Sequence, residues 1–433
     1  MKLLLCTGFL PPYAPSSAVR VSKFAAFLLA RGHDVRLLGA LNQQYPPVVA
    51  AEFPEERALY VPYTDVRDVL GRLRPSRERS KPSAEVRPRP SKPGPASDAA
   101  PASAVQKLKT NVRALYQTSF ALPDNLRLWQ RPAVQAALQA WQDWRPDLIY
   151  VSAPPHSAIG VGADLAAHWS VPWVLEYRDL WTEHPYYGEP FWRRAVERRL
   201  EARWTQSVAG YVTVTRTWAN WLKRRGKPVI LAMNGFDPAD YACPMPPDTD
   251  PRTLSLIYAG ALYGAKRDPS PLFQAIADLG PDKTRLRVRF HTPGPNEVAS
   301  LAARYGLEDP VVQSLPPVPR QKILELEQRS SLLLLLRWDD PREDSVIAGK
   351  LFEYIGARRP ILSIGRTRGE AADLIVENKL GVVCGSAPDA GALLRQALDQ
   401  GADAAVGYDP AAAVGFARES QFVAIEQFFA ELV

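Results

Sequence analysis

Chemistry-bearing residues cluster between an apolar run at 332–336 and a second apolar run that starts at Pro360. Both runs are typical of buried parallel strands, so the segment 346–358 must supply the crossover helix between them. In open α/β sheets such a helix begins at the edge where ligands bind, and its first N–H groups attract phosphate. Lys350 and Glu353 share one face of this helix. We predict that one meets a phosphate and the other a sugar hydroxyl.

Alternating strands and helices surround this stretch and predict the frame that positions it. A β-loop-α-β unit opens the chain, and the alternation starts again at 254 after a Pro-rich segment. This pattern predicts two doubly wound, Rossmann-like α/β domains that face each other across a cleft. The predicted bounds are 1–236 for the first domain, 237–253 for the linker, 254–416 for the second domain, and 417–433 for a last helix that packs back on the first domain.

The positive charge of the chain is concentrated in one segment. The 433 residues carry a formal net charge of +7 and an isoelectric point near 9.2. The segment 72–107 holds nine Lys/Arg and three Asp/Glu, a net of +6, which leaves +1 for all other residues. Its Pro-rich composition predicts a disordered insertion, either a tolerated loop or a polybasic contact with anionic lipid. A basic groove for nucleic acid is therefore not expected.

Cysteine usage and hydropathy narrow the class of protein further. Cys6, Cys243 and Cys384 are far apart in the sequence, which argues against a disulfide framework and a zinc site and fits a reducing cytoplasm. No apolar stretch approaches the roughly 20 residues that a membrane-spanning helix needs. We expect a cytoplasmic protein that can work at the inner face of the cytoplasmic membrane.

Short landmarks recur along the chain in a fixed order. They are Pro11–Pro12, Arg31–Val35, Pro146–Tyr150, Arg178–Trp181, Asn234–Asp237, Tyr258–Gly260 and Lys350–Tyr354. In this order and spacing the chain resembles a retaining glycosyltransferase of the GT-B fold, specifically of family 4. The resemblance covers nearly the whole chain except the 72–107 insertion.

The resemblance assigns the crossover helix to the sugar-nucleotide donor. It implies that Glu353 binds the ribose hydroxyls, a task that suits a carboxylate because it can accept from two neighbouring hydroxyls. A glutamate eight residues earlier normally contacts the donor sugar, but this chain has Ser345 there. Glu343 and Asp344 stand just before it, and either can take over the contact.

The resemblance also assigns a diphosphate-binding loop after the first strand of the second domain. The usual arginine after Gly260 is replaced by Ala261, whereas Arg267 matches the second basic position and has Lys266 beside it. We expect Arg267 and Lys350 to neutralise charge on the leaving phosphate, with Lys266 contributing to donor binding.

The first domain is expected to carry the acceptor side. His156 and Asp179 each follow a predicted strand, which places them at its carboxyl edge. His156 is expected to hydrogen bond near the transferred sugar, and Asp179 either orients the acceptor hydroxyl or holds Arg178. Ser16 and Ser17 lie in the first loop, where they stand in place of the glycines of a phosphate or sugar cradle.

A helix predicted at 191–206 has two interpretations. Trp192, Val196, Leu200 and Trp204 form a stripe at i, i+4 spacing, and its other face is rich in arginine. This pattern fits a helix packed on a sheet, which we favour because a strand follows at once, and it also fits a helix that lies on a membrane.

Together these patterns predict transfer of a sugar from a nucleotide-diphosphate donor to a sugar, glycolipid or lipid-linked hydroxyl acceptor with retention of configuration. Cell-surface polysaccharide or glycolipid synthesis is the expected setting, with peripheral contact to an anionic membrane. No cofactor beyond the donor and no metal are expected. The alternatives are a nucleotide-sugar epimerase or a phosphorylase on the same fold, and a non-catalytic adaptor of an assembly complex.

Overall fold

The structure is a computed structural model that describes residues 1–13, 18–47, 49–65, 121–246 and 253–433. Within these ranges the chain divides into two compact units. The first unit comprises Met1–Val214, Trp218–Ala232 and Phe422–Val433, and the second comprises Thr215–Thr217 and Met233–Gln421.

Several predicted features lie outside the described residues. They are Ser16, Ser17, the insertion at 72–107, a helix expected near 105–118 and most of the Pro-rich part of the linker. These remain predictions.

The first unit is a doubly wound parallel sheet with strand order β3-β2-β1-β4-β5-β6-β7. Its strands are β1 (Lys2–Thr7), β2 (Asp34–Ala40), β3 (Ala58–Val61), β4 (Leu148–Ala153), β5 (Trp173–Tyr177), β6 (Gly210–Thr213) and β7 (Val229–Leu231). Its helices are α1 (Val19–Ala30), α2 (Gln130–Ala140), α3 (Ser157–Trp169), α4 (Phe191–Trp204) and most of α5 (Arg216–Lys223). Strands β1 and β4 at the centre of the sheet are almost entirely buried, which explains their largely apolar sequences.

The last helix of the chain is part of the first unit's core. From Phe422 onward it clusters with that unit, and Phe422 and Phe429 are almost fully buried. The ring centroids of Phe24 and Phe422 are 4.9 Å apart, and those of Tyr150 and Phe429 are 5.4 Å apart. An aromatic cluster therefore joins the carboxyl-terminal helix to α1 and β4.

The second unit is a parallel sheet with strand order β10-β9-β8-β11-β12-β13. Its strands are β8 (Leu254–Ala259), β9 (Leu286–His291), β10 (Val312–Leu315), β11 (Leu332–Leu336), β12 (Ile361–Ile364) and β13 (Gly381–Cys384). Its helices are α6 (Ser270–Ala277), α7 (Pro295–Ala303), α8 (Arg320–Arg329), α9 (Gly349–Ala357), α10 (Glu370–Glu377), α11 (Ala387–Gln400) and α12 (Ala402–Val406). The last helix of the chain, which packs in the first unit from Phe422 onward, is α13 (Arg418–Ala430). Two hydrophobic clusters include buried residues of this sheet, one centred on α6, α7 and α11 and the other on α9 and α10. The prediction of two Rossmann-like α/β sheets is confirmed.

The crossover helix begins later than predicted. It starts at Gly349, three residues after the expected start at Val346. The Asp344 carbonyl accepts from the Glu370 N–H, and the Asp344 carboxylate is held by Arg366, so the segment before Gly349 is committed to other contacts. Ala348 consequently has an extended ψ of 138° and occupies the N-cap position without a capping side chain.

Helix α4 packs within the first unit, but its buried face differs from the apolar stripe that was predicted to face the sheet. Its buried residues are Arg193, Glu197, Glu201 and Trp204. Val196 is exposed, and Trp192 and Leu200 are half-buried. The prediction that the stripe faces the sheet is wrong for Val196. The fully buried face instead holds Glu197 and Glu201, whose carboxylates accept hydrogen bonds from β5 and from the loop that follows it.

Candidate functional site

The residues predicted to bind the donor come together at one edge of the second sheet. Strands β8 and β11 are paired in parallel, with Leu256 opposite Leu332, so their carboxyl ends lie side by side. The loop after β8 and the segment after β11 therefore meet at this edge, and α9 begins there. This is the edge at which open α/β sheets bind ligands.

Lys350 lies in the first turn of α9 and packs on the end of β8. Its Nζ is 4.0 Å from the centre of the Tyr258 ring, a cation–π contact. Gly260 makes this approach possible, since a Cβ built there would lie 2.8 Å from the Lys350 Nζ and its φ of +142° disfavours any side chain. Burial lowers the pKa of Lys350 to about 8, although the negative charges of Glu327 and Glu353 act to raise it.

Glu327 is a member of this cluster that the sequence analysis missed. It lies on α8 and is 1% exposed, and neither carboxyl oxygen has a hydrogen-bond partner among the described residues. Burial, followed by repulsion from Glu353, raises the pKa of Glu327 to about 8 even though Lys350 and Arg320 oppose this shift. Burial therefore favours the neutral, protonated form of Glu327 beside the Lys350 ammonium group.

Glu353 is one helical turn beyond Lys350, and both its side chain and its backbone carbonyl have partners. Its side chain is about one-third exposed, and an oxygen lies 3.3 Å from the Arg320 Nε. Arg320 also binds Asp240 at 2.9 Å, and the Glu353 carbonyl accepts a hydrogen bond from the Tyr241 hydroxyl. Arg320 thus orients the carboxylate and leaves part of it exposed for a ligand.

The two candidate replacements for the sugar-contacting glutamate have different partners. Glu343 is buried, and its Oε2 lies 3.4 Å from an Arg267 guanidinium nitrogen. Asp344 forms a bidentate pair with Arg366 at 2.8 and 3.0 Å, and these hydrogen bonds lower the pKa of its carboxyl. Ser345 is half-buried in the turn before α9. Glu343 is thereby tied directly to a predicted phosphate ligand, whereas Asp344 supports the loop after β12.

Lys266 is stacked on an aromatic ring that the sequence analysis did not select. Its Nζ is 4.6 Å from the centre of the Trp338 ring, and the Arg342 guanidinium carbon is 4.3 Å from it. Trp338 follows β11, so this contact also connects the loop after β8 with the segment after β11. The second unit therefore gathers Gly260, Lys266, Arg267, Glu343, Lys350 and Glu353 at one sheet edge.

In the first unit, His156 and Asp179 lie at the carboxyl ends of the neighbouring strands β4 and β5. The His156 ring is stacked on Trp181 with centroids 5.0 Å apart, and its Nδ1 has no partner among the described residues. Burial lowers the pKa of His156 to about 3, although Asp179 opposes the shift. Asp179 is half exposed and lies 3.5 Å from His184. His156 is thus a neutral imidazole with one ring nitrogen that no described residue engages.

A buried ion pair lies next to these residues. Arg20 donates to Glu176 at 2.7 Å, and the Ser152 hydroxyl donates to the other Glu176 oxygen at 2.5 Å. Burial alone would raise the pKa of Glu176, but the charges of Arg20 and Arg178 hold it below its ordinary value. The Arg178 side chain donates to the Pro154 carbonyl. The Arg20–Glu176 pair fixes the ends of β4 and β5. The sequence analysis missed it, because the mixed sequence Trp173–Tyr177 does not indicate that Glu176 is buried.

The described ranges contain neither a cluster of metal ligands nor a membrane-spanning helix. No group of three His, Cys, Asp or Glu side chains is arranged to hold a metal ion there. In the same ranges, no helix combines the length and the apolarity needed to cross a bilayer.

Comparison with known proteins identifies the family. Residues 17–231 match the model of the glycosyl transferase 4-like domain. The chain is a glycosyltransferase of the GT-B fold. No curated protein matches the sequence of this glycosyltransferase.

Solved structures with the same fold cover the whole glycosyltransferase chain. Sucrose-phosphate synthase from Thermosynechococcus elongatus aligns over 100% of this chain and 99% of its own, with a TM-score of 0.62 and 12% identity. The Anabaena protein HepE in complex with UDP aligns over 100% of both chains, with a TM-score of 0.59 and 14% identity. WaaG, a glycosyltransferase involved in lipopolysaccharide biosynthesis, aligns over 100% of both chains, with a TM-score of 0.55 and 15% identity.

Proposed function

We propose that this glycosyltransferase moves a sugar from a nucleotide-diphosphate donor to a hydroxyl acceptor with retention of configuration. The observation that carries the proposal is the cationic edge of the second sheet. Lys350 stacks on Tyr258, and Glu353 follows it on the same helix with part of its carboxylate exposed. A nucleoside diphosphate has the matching chemistry, since it pairs an anionic diphosphate with a ribose that carries two neighbouring hydroxyls.

In this proposal the diphosphate leaves with its charge compensated by three groups. Lys350 and Arg267 are the cations, and the uncapped N-terminus of α9 supplies backbone N–H groups. The bond from the anomeric carbon to the phosphate oxygen breaks, and the acceptor oxygen bonds to the same face of that carbon. The acceptor proton passes to the departing phosphate oxygen, so the reaction needs no protein base. No metal and no further cofactor are expected.

His156 is proposed to hydrogen bond to the transferred sugar. Because its pKa is about 3, it acts as a neutral donor or acceptor rather than as a cation. Glu343, Asp344 and Ser345 remain the candidates for the remaining sugar contact. Glu343 is favoured by its link to Arg267, since Asp344 already accepts two hydrogen bonds from Arg366.

The nucleotide and the acceptor are proposed by class. Structures of HepE hold UDP and UDP-glucose, which supports a uridine donor as the first to test. The likeness to WaaG, which is involved in lipopolysaccharide biosynthesis, supports a sugar, glycolipid or lipid-linked acceptor in cell-surface polysaccharide or glycolipid synthesis. Such an acceptor would place the protein at an anionic membrane.

A thermal-shift screen against UDP-, GDP-, TDP- and ADP-sugars tests the donor site. We expect one nucleotide class to stabilise the wild type. With that donor and a soluble acceptor, product NMR reports the configuration of the new bond. An inverted anomeric centre would overturn retention, and a donor consumed without an acceptor would indicate an epimerase.

A further inference from the structure

Helix α4 exposes the side chains that a surface helix normally buries. Phe191 is 87% exposed and Val196 is 42% exposed. The opposite face buries Arg193, Glu197 and Glu201, each of which is under 8% exposed. An amphipathic helix packed on a sheet has the reverse arrangement.

The buried charges are stabilised by a dense set of contacts within the first unit. Glu197 accepts from the Trp181 indole at 3.0 Å and the Tyr187 hydroxyl at 2.8 Å, and it pairs with Arg193 at 2.7 Å. Glu201 accepts from the Tyr177 and Thr182 hydroxyls at 2.8 and 2.7 Å and pairs with Arg225. These contacts fix the rotation of α4 about its own axis. Its outward face does not take part in this buried network.

The outward face carries exposed cations beside the exposed apolar side chains. Arg199 and Arg203 are exposed, and neither forms an ion pair with a carboxylate of the described residues. Arg198 is also exposed but binds Glu183 at 2.6 Å. Arginine near an apolar surface is typical of helices that lie in the plane of an anionic bilayer.

A groove of about 690 Å³ continues this face into the start of α2. Its lining includes Arg127, Arg131, Arg203 and Leu200. Leu128, which also lines the groove, is 47% exposed. The carboxylate in the lining, Asp164, accepts a hydrogen bond from Gln130 at 2.9 Å.

We propose that the outward face of α4 and this groove dock the protein on a membrane that contains anionic lipid. The docking face consists of Phe191, Val196, Arg199, Arg203, Leu128 and the two groove arginines, Arg127 and Arg131. Phe191, Val196 and Leu128 enter the acyl boundary, while the guanidinium groups bind lipid phosphates in bidentate fashion. The inference adds a location to the proposed function, because a lipid-linked acceptor is presented at such a surface.

Co-sedimentation with vesicles at low salt tests the docking face. Full-length protein is mixed with vesicles of 30% phosphatidylglycerol in phosphatidylcholine or with phosphatidylcholine alone. The wild type is expected to sediment with the anionic vesicles and to be released by high salt. R199Q/R203Q should lower the partition coefficient about 25-fold, since each basic residue near an anionic surface contributes about fivefold. F191S/V196S should lower it about tenfold or more on the same vesicles.

The double variant V376S/R304Q is the matched control, because Val376 and Arg304 are exposed in the second unit. It should bind as the wild type does. A wild type that does not sediment overturns the proposal. So does wild-type binding by both docking-face variants, which would assign the membrane contact to another segment such as the basic insertion. Donor-induced thermal stabilisation, measured on the same samples, reports separately on the proposed function and should be equal in all variants.

Discussion

Replacing Glu327 by glutamine should stabilise the protein at neutral pH. The carboxyl is buried and unpartnered within the described chain, and its pKa is raised to about 8 from an ordinary value of 4.5. The unfolded chain releases this proton above pH 4.5, whereas the folded chain holds it until about pH 8. The stability that protonated Glu327 contributes is therefore complete below pH 4.5 and is lost progressively as pH rises through 8.

The magnitude follows from the linkage relation. Between pH 4.5 and pH 7 the free energy of unfolding falls by about 1.4 kcal/mol per pH unit from this group, a total of about 3 kcal/mol. Glutamine has the same shape and no proton to lose. We expect E327Q to exceed the wild type by about 3 kcal/mol at pH 7 and to equal it near pH 4.5.

Chemical denaturation at a series of pH values between 4.5 and 8 measures this difference. The matched control is Glu325→Gln on the same helix, since Glu325 is partly exposed and pairs with Lys322 at 2.8 Å. That substitution should change the free energy of unfolding by no more than about 0.5 kcal/mol. If E327Q were less stable than the wild type at pH 7, Glu327 would be an ionised partner of Lys350, and our account of the cluster would be wrong.

Further predictions concern the donor site and His156. Because Lys350 loses its proton near pH 8, the affinity for a nucleoside diphosphate should fall above that pH by up to about tenfold per unit, and K350R should remove the fall. G260A should displace the Lys350 Nζ and weaken donor binding about tenfold, whereas G306A, at a positive φ with open space around it, should cost stability alone. H156A should lower kcat about 100-fold, and no ionisation near pH 6.5 should appear in the wild-type kcat profile. Dialysis against EDTA should leave turnover unchanged.

The parts of the fold that could be predicted from the sequence are those where the pattern of apolar residues indicates which positions are buried. The five leucines of β11 have no polar member, so a strand buried on both faces followed directly. Lys350 and Glu353 were selected because a helix between two such strands has its start at the ligand edge. The start of α9 itself was misplaced by three residues, because the contacts of Asp344 with Arg366 and Glu370 are made between segments distant in the sequence.

Buried polar side chains were beyond the reach of the sequence. Glu201 lies on α4 among arginines and alanines, and its spacing is that of a solvated face. It is buried because Tyr177 and Thr182, which are distant in the sequence, donate to its carboxylate. Glu327 was missed for the same reason. The burial of such charged side chains depends on partners that are distant in the sequence. The buried face of α4 was misassigned because these partners could not be identified from the sequence.

Calorimetric titration of a nucleoside diphosphate is the most direct test of the central claim, which is that Lys350 and Glu353 form the donor site. The diphosphate selected by the thermal-shift screen is titrated into the wild type, E353A and the control E325A. We expect the wild type and E325A to bind equally and E353A to lose about 2 kcal/mol or more of binding free energy, because two ribose hydrogen bonds to a charged acceptor are removed. Equal binding by E353A, or no binding by the wild type to any nucleoside diphosphate, would contradict the assignment.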